Sequence, residues 1–407
     1  GKLDLLRIDH IDGLADPANY LERLKIESGG AGVLVEKILG PDEELPGDWA
    51  CLGTTGYEIA ELITALQVER QNEAEISAAW HSFTGAAVDY EELVKSCKRH
   101  ILVNNLAGEL AALVRMALEL AAGSLKHRDI GPDSLRLALV ELAVALPVYR
   151  TYIDRAGATA RDAELLKAAA EAARGERRLE DATALDFLLQ LLLEPAAGDE
   201  ARLTFIRRFQ QTTGPLTAKA VEDTAFYRFN RLIALNEVGG EPGRFGIAQP
   251  DFHAAMGRRA EKWPSSLSAT ATHDTKRGED ARARLTVLSE MPREWRAAVE
   301  SWHRQLADIE EEVTAAVHRE DAWLFYQALA GAWPGDLLLD NEEGLQDLAE
   351  RLAAFMTKAL REAKERSSWT APDAAYEEKV GRFVRCLFEP SNRRLLRQVR
   401  AMITRLE

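Results

Sequence analysis

The sequence predicts an α/β fold: a partial (β/α)8 barrel of the TIM type with large, predominantly α-helical insertions. The first observation is a set of short apolar runs that each end in an acidic residue. Parallel strands buried on both faces read as such runs, and a barrel carries its chemistry at their carboxyl ends. The second observation is that long stretches between these runs repeat apolar residues with a helical period. A closed barrel has eight strands, so about three or four of them make only part of one.

Three segments show the strand pattern, and each places a carboxylate where a strand would end. They are residues 5–8 before Asp9, residues 33–35 before Glu36 and residues 268–273 before Asp274. Residues 51–55 are a weaker candidate for a fourth strand. Carboxyl ends of parallel strands meet at one edge of a sheet, so the sequence predicts that the acids converge on one pocket.

The segment between the first two strands is predicted to be their crossover helix. Asp16 is a favourable N-cap, and Pro17 suits the first helical position. Residues 29 and 30 are both glycine, which commonly ends a helix. About 27 residues separate the first two acids, close to the length of one strand–helix–strand crossover.

The periodic segments divide the chain into four predicted domains. Residues 1–60 form a barrel segment with the first two acids, 61–250 a mainly helical insertion, 251–290 a barrel segment with the third acid, and 291–407 a helical subdomain. Within the last of these, residues 295–317 read as one long, charged helix. No internal repeat or low-complexity linker interrupts this order.

Composition excludes several classes of function. A formal net charge of -15 disfavours nucleic acid and anionic membrane surfaces, both of which need basic patches. The 3 cysteines are few and widely spaced, which predicts neither a disulfide framework nor a zinc site. No long uncharged apolar segment and no signal-peptide pattern occurs, so we expect a cytoplasmic protein.

The first two acids suit the cleavage of a glycosidic bond. A retaining enzyme holds its nucleophile and its general acid roughly 5 Å apart, and neighbouring strands lie about 4.8 Å apart. Asp9 and Glu36, at the ends of adjacent strands, would meet that distance. Arg7 lies two residues before Asp9, so it shares the same face and would keep that carboxylate ionised. The alternative is that each acid is a surface charge, since the chain has 66 acidic residues.

Other side chains near these segments are candidates for binding a sugar. Tyr57 and Tyr227 lie in polar, loop-like contexts where their rings could stack on a sugar; the alternative is that they anchor the core. Lys276 follows the third acid and could bind hydroxyl groups, or be a surface charge at a helix start. His10 and His273 each adjoin an aspartate, but neither has further ligands at metal spacing, so no metal site is predicted.

The acid-bearing motifs resemble conserved regions two, three and four of the α-amylase superfamily. These are Arg-Ile-Asp-His at residues 7–10, Val-Glu-Lys at 35–37 and Thr-His-Asp-Thr at 272–275. The longer runs around and between them resemble, more specifically, the maltooligosyltrehalose synthase family. Those runs are residues 7–17, 38–41 with 44–46, 53–58, 147–152, 219 with 221–228, 236–240, and 272–277 with 279–280 and 282–284.

The resemblance implies an enzyme, an isomerase that moves the reducing-end α-1,4 bond of a maltooligosaccharide to an α,α-1,1 bond, giving maltooligosyltrehalose. It implies Asp9 as nucleophile, Glu36 as general acid and then base, and Asp274 as the third acid that fixes sugar hydroxyls. It implies no cofactor and a maltooligosaccharide as substrate. Predicted substrate-binding residues are Arg7, His10, His273, Tyr57, Tyr227 and Lys276.

The resemblance places the chain from about the fourth to the seventh barrel strand. Leu5 and Ala220 occupy positions where the family usually has glycine. The remaining segments of the same enzyme are therefore expected partners, and free strand edges are expected to be covered or paired. Two alternatives stay open: an amylase-type α-glucan hydrolase or transferase, and an inactive fragment that lacks the rest of the barrel.

Overall fold

The computed structural model describes residues 3–40, 43–176, 178–179 and 182–407. Pro41, the last residue of one resemblance motif, lies outside the described residues. The described chain is mostly α-helical and carries a small parallel sheet. The predominantly helical content and the parallel strands that the sequence predicts are therefore confirmed.

The α-helices, numbered in chain order, take up most of the described residues. They are α1 Pro17–Glu27, α2 Tyr57–Leu66, α3 Glu73–Thr84, α4 Tyr90–His100, α5 Ala107–Ala122, α6 Pro132–Ala145, α7 Ala160–Arg174, α8 Thr183–Leu193, α9 Glu200–Thr217, α10 Gln249–Lys262, α11 Glu279–Thr286, α12 Pro292–Ile309, α13 Glu311–Ala315, α14 Arg319–Ala332, α15 Glu342–Ala363, α16 Ala374–Cys386 and α17 Arg393–Leu406. A π-helical turn, Ile101–Asn105, connects α4 and α5.

The sheet contains three parallel strands in the order β1-β2-β3. They are β1 Leu5–Ile8, β2 Gly32–Val35 and β3 Gly53–Thr54. Ile8 pairs with Val35, which in turn pairs with Thr54. The two strands before Asp9 and Glu36 are confirmed, and so is the weaker candidate strand at residues 51–55.

The crossover helix α1 begins and ends as its sequence predicts. The Asp16 carboxylate accepts a hydrogen bond from the Asn19 backbone N–H at 3.1 Å, and Pro17 is the first helical residue. Gly29 and Gly30 follow the helix with φ angles of 70° and 88°, which glycine adopts without steric cost. Local chain chemistry therefore sets the spacing between the two acid-bearing strands.

The predicted third strand, residues 268–273, is wrong: these residues form turns and irregular structure. One strand-like bond exists just before them, from the Leu267 backbone N–H to the Thr54 carbonyl at 3.0 Å. The ladder stops there because β3 is only 2 residues long and offers no further partner groups. The side chains of the run are mostly small, so they supply little apolar burial in place of the missing bonds.

The first strand is also more exposed than predicted. A strand buried on both faces was expected, but Leu5 is 53% exposed and Arg7 is exposed too. The reason is position: β1 is an edge strand of this sheet and pairs with β2 alone among the described strands. The opposite edge is covered, because the Ser266 hydroxyl accepts a bond from the Thr54 N–H at 3.1 Å.

One predicted long helix is two helices. Residues 295–317 were expected to be continuous, but α12 ends at Ile309, and Glu310 has an extended φ of -135° before α13 begins. Residues 310–312 are all glutamate, and negative charge is unfavourable at a helix C-terminus and favourable at an N-terminus. The acidic run therefore favours a break there.

The chain folds into two compact units, each assembled from separate segments. Unit one comprises the described parts of Gly1–Tyr57, Glu91–Val221 and Arg258–Ser268. Unit two comprises Glu58–Tyr90, Glu222–Gly257 and Ala269–Glu407. In unit one, a core of Ile11, Leu21, Val33, Val35, Leu45 and Trp49 lies beneath the sheet and α1. Unit two is built around buried aromatic rings, among them Phe83, Trp295, Trp302, Trp323 and Tyr326.

Within the described residues, no single helix is long and apolar enough to cross a membrane. One bent pair, Tyr90–Asn105 with Ala107–Ala122, passes that test by length and composition, with an angle of 84° between its parts. Core helices pass the same test, so the pair is weak evidence for a membrane-spanning segment. The three cysteines are free thiols.

Candidate active site

The ends of β1 and β2 bring Asp9 and Glu36 next to each other in unit one. The two acids directly follow the paired residues Ile8 and Val35, and the Glu36 N–H donates to the Ile8 carbonyl at 2.8 Å. The His10 backbone N–H donates to the Glu36 carboxylate at 2.6 Å. His10 has a φ of 49°, so the chain turns sharply after Asp9 and directs this N–H at Glu36. Asp9, His10 and Glu36 thus form one cluster.

Arg7 contacts Asp9, as the two-residue spacing predicts. The guanidinium Nη1 lies 2.9 Å from the Asp9 carboxylate. The side chains are 41% and 65% exposed, so solvent screens the pair and its stabilisation is small. Its value lies in orientation, because it fixes the side-chain direction of Asp9 on the exposed face of β1.

A buried ionic network lies directly behind this cluster, and residue-by-residue interpretation of the sequence misses it. The Lys37 side chain is fully buried, with Nζ 3.1 Å from Asp12 and 2.9 Å from Glu43. Burial alone would lower the pKa of Lys37, but the two carboxylates outweigh burial and raise it. Lys37 is therefore charged, and it ties together the segments that follow β1 and β2.

Arg150 and Tyr152 complete the network. The Arg150 guanidinium, fully buried, donates to the backbone carbonyls of Asp12 at 2.7 Å and Leu14 at 2.6 Å. The Tyr152 hydroxyl donates to the Asp12 carboxylate, and burial raises the pKa of that hydroxyl well above its usual range. Both residues belong to the 147–152 motif, and that motif is the one feature of the sequence that indicates their importance.

A cavity of about 790 Å³ in unit one borders the same segments. Its lining includes Trp49 and Tyr152, whose rings meet edge to face at 4.9 Å. Asp16 and Arg207 also line it and lie 3.6 Å apart. The cavity therefore combines aromatic surface with hydrogen-bonding groups, a common composition for sites that take polar ligands.

Tyr57 does not lie in the polar loop that the sequence predicts. It is the first residue of α2 and is 1% exposed. Burying the large apolar surface of an aromatic ring is favourable, so the ring packs inside although its neighbours in sequence are polar. Its predicted role in substrate binding stays a prediction.

In unit two, Asp274 lies on a loop. Its carboxylate is 3.5 Å from the His273 ring nitrogen, and both side chains are substantially exposed. The Asp274 backbone N–H donates to the Thr272 hydroxyl at 3.2 Å. The loop thus presents a histidine–aspartate pair on its surface.

Lys276 is not the surface charge that the alternative interpretation would make it, and neither is its neighbour Arg277. Their side chains are only 12% and 9% exposed. The Lys276 ammonium lies 3.5 Å from the Asp223 carboxylate and 5.5 Å from the centre of the Tyr227 ring. Arg277 pairs with Glu237 at 3.5 Å. The two cations anchor the segment that follows Asp274.

Tyr227 is buried and lies in a 3-10 turn, Ala225–Tyr227, not in an open loop as predicted. Burial raises the pKa of its hydroxyl to about 12, so the group is neutral and can donate a hydrogen bond. The residues predicted for the site thus form two groups, one within each unit. Among the described residues, no group of three or more His, Cys, Asp and Glu side chains is arranged to hold a metal ion.

Comparison with known proteins relates these clusters to one family of enzymes. No protein-family model matches the chain. The chain is 37% identical over 386 residues to a putative maltooligosyl trehalose synthase of Mycobacterium tuberculosis (strain CDC 1551 / Oshkosh), covering 93% of this chain and 45% of that protein. It therefore spans about half the length of the curated relatives that it matches.

Solved structures give the same result. A maltooligosyltrehalose synthase from Arthrobacter ramosus matches with a TM-score of 0.81 and 34% identity, over 99% of this chain and 47% of that one. A hypothetical maltooligosyl trehalose synthase of Sulfolobus tokodaii matches with a TM-score of 0.77 and 29% identity, over 98% and 48%.

Two acids at the ends of adjacent parallel strands are typical of enzymes of the α-amylase family that act on glycosidic bonds. Within that class, the predicted resemblance to the maltooligosyltrehalose synthases is confirmed for the segment, about half a synthase in length, that this chain spans.

Proposed function

We propose that the chain carries catalytic carboxylates of an enzyme that converts the reducing-end α-1,4 bond of a maltooligosaccharide into an α,α-1,1 bond, a step of trehalose biosynthesis. The observation that supports this most directly is the cluster at the ends of β1 and β2. There Glu36 accepts the His10 N–H at 2.6 Å, and Arg7 orients Asp9 at 2.9 Å. The enzyme is an isomerase, because substrate and product have the same composition.

The reaction is a retaining double displacement. Asp9 attacks the anomeric carbon of the penultimate glucose unit, and Glu36 protonates the bridging oxygen as that bond breaks. The freed glucose turns within the site. Glu36, now ionised, removes the proton from the anomeric hydroxyl of that glucose, and the hydroxyl oxygen attacks the same carbon and displaces the Asp9 carboxylate. Two inversions at the same carbon give net retention.

Asp274 is the third carboxylate in this proposal and holds hydroxyl groups of the reacting ring. His273, which lies 3.5 Å from it, donates to the same ring. His10, Tyr57, Tyr227 and Lys276 complete the proposed substrate-binding set. A hydroxyl donor such as neutral Tyr227 and a cation such as Lys276 suit a neutral, hydroxyl-rich ligand.

We also propose the finer architecture. The parallel sheet is part of a (β/α)8 barrel, about strands 4 to 7, and the segments at 1–60 and 251–290 belong to it. Residues 61–250 and 291–407 supply its helical insertion and helical subdomain. The remaining segments of the same enzyme pair with the exposed edge of β1. Support comes from that edge and from the half-length coverage of the relatives.

The proposed location is the cytoplasm. The free thiols of Cys51, Cys97 and Cys386 are compatible with a reducing compartment. A maltooligosaccharide substrate is neutral and makes no demand on the net charge of -15.

An amylase-type hydrolysis is the second candidate, and one observation favours it. The Asp9 side chain is 65% exposed, so water can reach the carbon to which it would bond. Water then competes with the retained glucose for the intermediate. The balance depends on how well the site excludes water around Asp9.

Incubation with maltopentaose tests both candidates. Isomerisation removes the reducing end, so reducing sugar falls while total sugar stays constant. Hydrolysis increases reducing sugar instead. A chain that does neither, at substrate concentrations up to the solubility limit, would contradict the proposed activity for this chain.

A further inference from the structure

Asp274 sits on a segment that no strand holds in place. Residues 270–278, the Asp274 loop, connect to α11, and the bonds made between residues of the loop itself are short-range. Thr275, for example, donates its hydroxyl to the Thr272 carbonyl at 2.8 Å. Such bonds shape the loop but do not fix it to the rest of unit two. A carboxylate that must meet a sugar ring within fractions of an ångström needs an external anchor.

Glu237 supplies that anchor. Its carboxylate Oε2 accepts the backbone N–H of Lys276 at 2.6 Å, two residues after Asp274. Its Oε1 lies 3.5 Å from the Arg277 guanidinium. Glu237 itself is only 6% exposed. One buried carboxylate therefore holds two consecutive residues of the loop, Lys276 by a hydrogen bond and Arg277 by an ion pair.

The charge of Glu237 matters as much as its oxygen atoms. Arg277 is buried, and it also donates to the Ile233 carbonyl at 3.1 Å. Burial lowers the pKa of Arg277, and Glu237 counteracts that effect. A buried guanidinium that lost its carboxylate would be an uncompensated charge and would tend to leave for water, taking the loop with it.

The segment around Glu237 is rigid. The Gly240 N–H donates to the Glu237 carbonyl at 2.7 Å, and a Cβ at Gly240 would lie 2.6 Å from the Leu235 carbonyl oxygen, so only glycine fits. The Asn236 amide donates to the Phe226 and Phe229 carbonyls, each at 2.8 Å. These bonds hold the 236–240 motif, and with it the backbone of Glu237, in place.

Arg282 closes the loop from the other side. Its guanidinium donates to the Arg277 carbonyl at 3.0 Å and to the Thr270 carbonyl. These two carbonyls belong to opposite ends of the Asp274 loop. The ends of the loop are thus joined and Lys276 is bound by Glu237, so the exposed tip with His273 and Asp274 is held on both sides.

We propose that Glu237 is a positioning residue that holds the Asp274 loop, through the Lys276 N–H and Arg277, in the conformation that presents Asp274 to the substrate. The inference rests on the proposed function for its catalytic consequence. Its structural part, the anchoring of the loop, is independent of that function.

The test compares Glu237→Gln with Glu290→Gln. Both make the same change in unit two, but Glu290 is exposed and lies outside the loop's contacts. Glutamine can still accept the Lys276 N–H but leaves Arg277 without a counter-charge. Hydrogen–deuterium exchange in peptides covering residues 270–278 is expected to accelerate at least about tenfold in Glu237→Gln and not in Glu290→Gln.

A rescue variant separates positioning from general damage. Glu237→Gln combined with Arg277→Met removes the uncompensated charge and keeps the acceptor for Lys276. Exchange in the loop is expected to be at least about threefold slower than in Glu237→Gln but to stay above the wild-type rate, because the Arg277 anchor is also lost. With maltopentaose, Glu237→Gln is expected to lower kcat at least about tenfold while KM changes less than about twofold, because ground-state binding does not need the exact carboxylate position.

The outcomes are distinct. Unchanged exchange in Glu237→Gln overturns the proposal, and so does a uniform rise over all of unit two with no rescue, which indicates a merely structural role. Localised acceleration with rescue supports it. If the wild-type chain shows no turnover while exchange behaves as expected, the proposed function fails and the anchoring of the loop stands.

Discussion

The acids of unit one and the acid of unit two follow similar sequence patterns but are held in different ways. Asp9 and Glu36 directly follow β1 and β2, and the pairing of Ile8 with Val35 places the two acids side by side. Asp274 follows a run of small residues that forms no strand, and side chains hold its loop instead. Backbone ladders fix the first two acids, and buried charges fix the third.

The difference shows what a strand needs besides a suitable sequence. Residues 32–35 find β1 on one side and β3 on the other, so their backbone groups are paired. Residues 268–273 follow a single bond to β3, which is too short to continue. Where a ladder is missing, backbone groups pair with turns, side chains or water, and in this loop a buried side chain binds the Lys276 N–H.

Replacing the proposed nucleophile tests the strand-held side of the comparison and should have the largest effect. Asp9→Asn keeps the shape and removes the nucleophilic charge, so turnover of maltopentaose is expected to fall at least about a thousandfold. Loss of reducing ends measures it. Asp4→Asn, an exposed change just before the same strand, is the control and should leave turnover intact. Equal activity in both variants would refute the assignment of Asp9.

Replacing Lys37 tests whether the segment that carries Asp9 and Glu36 also depends on the buried ionic network. Lys37→Met leaves Asp12 and Glu43 buried without a counter-ion, so the free energy of unfolding is expected to drop by about 3–5 kcal/mol. Urea denaturation measures it. Lys262→Met breaks an exposed pair with Glu44 and should cost less than about 1 kcal/mol. Similar losses in the two variants would show that the network does not stabilise unit one.

The two units should also differ in their response to pH. In unit two, burial raises the pKa of Glu61 to about 7, with Arg244 opposing and Glu241 reinforcing the rise. The folded state therefore holds a proton that the unfolded state releases above pH 4.5, and the contribution of Glu61 to stability falls as pH rises from about 4.5 to about 7. We expect a loss on the order of 2 kcal/mol, allowing for the partial exposure of Glu61.

Urea unfolding at pH 5 and pH 7.5 measures this effect, with Glu61→Gln as the test variant. The variant cannot titrate at this position, so its stability should decline less than that of the wild type over the same interval. A wild-type decline that Glu61→Gln leaves unaltered would exclude Glu61 as the source.

The smallest expected effect concerns α1, the crossover helix between the strands that precede Asp9 and Glu36. Asp16→Ala removes the N-cap of α1 and its bond to the Asn19 N–H, at a cost of about 1 kcal/mol. Thermal or urea unfolding measures it against Asp48→Ala, an exposed change in the same unit. If Asp48→Ala destabilised the protein as much, the cap would contribute nothing specific.

Sequence reasoning succeeded where local chemistry decides the structure. The N-cap Asp16, Pro17 and the glycine pair after α1 act within a few residues, so the crossover and its strands could be predicted. The two acids at the ends of these strands follow from the same pattern. The amphipathic helices were predictable for an equally local reason, since each shows its apolar stripe in its own sequence.

Features that depend on distant partners were missed. In the sequence, Lys37 looks like an ordinary surface lysine. Its buried position depends on ion pairs with Asp12 and Glu43, which only the folded structure brings to it. Tyr57 and Tyr227 stand among polar neighbours in sequence, yet tertiary packing buries both. Glu237 was visible only as part of a family motif, and nothing in the motif reveals its grip on Lys276.

The interleaved order of the two units has a consequence for biosynthesis. Unit one needs residues 258–268, so during translation it stays incomplete until these residues have left the ribosome, when residues 58–90 and 222–257 of unit two have already emerged. No single cut yields either unit as one continuous piece. Expression of shortened forms should therefore give insoluble or protease-sensitive products, even when the cut falls in an exposed turn.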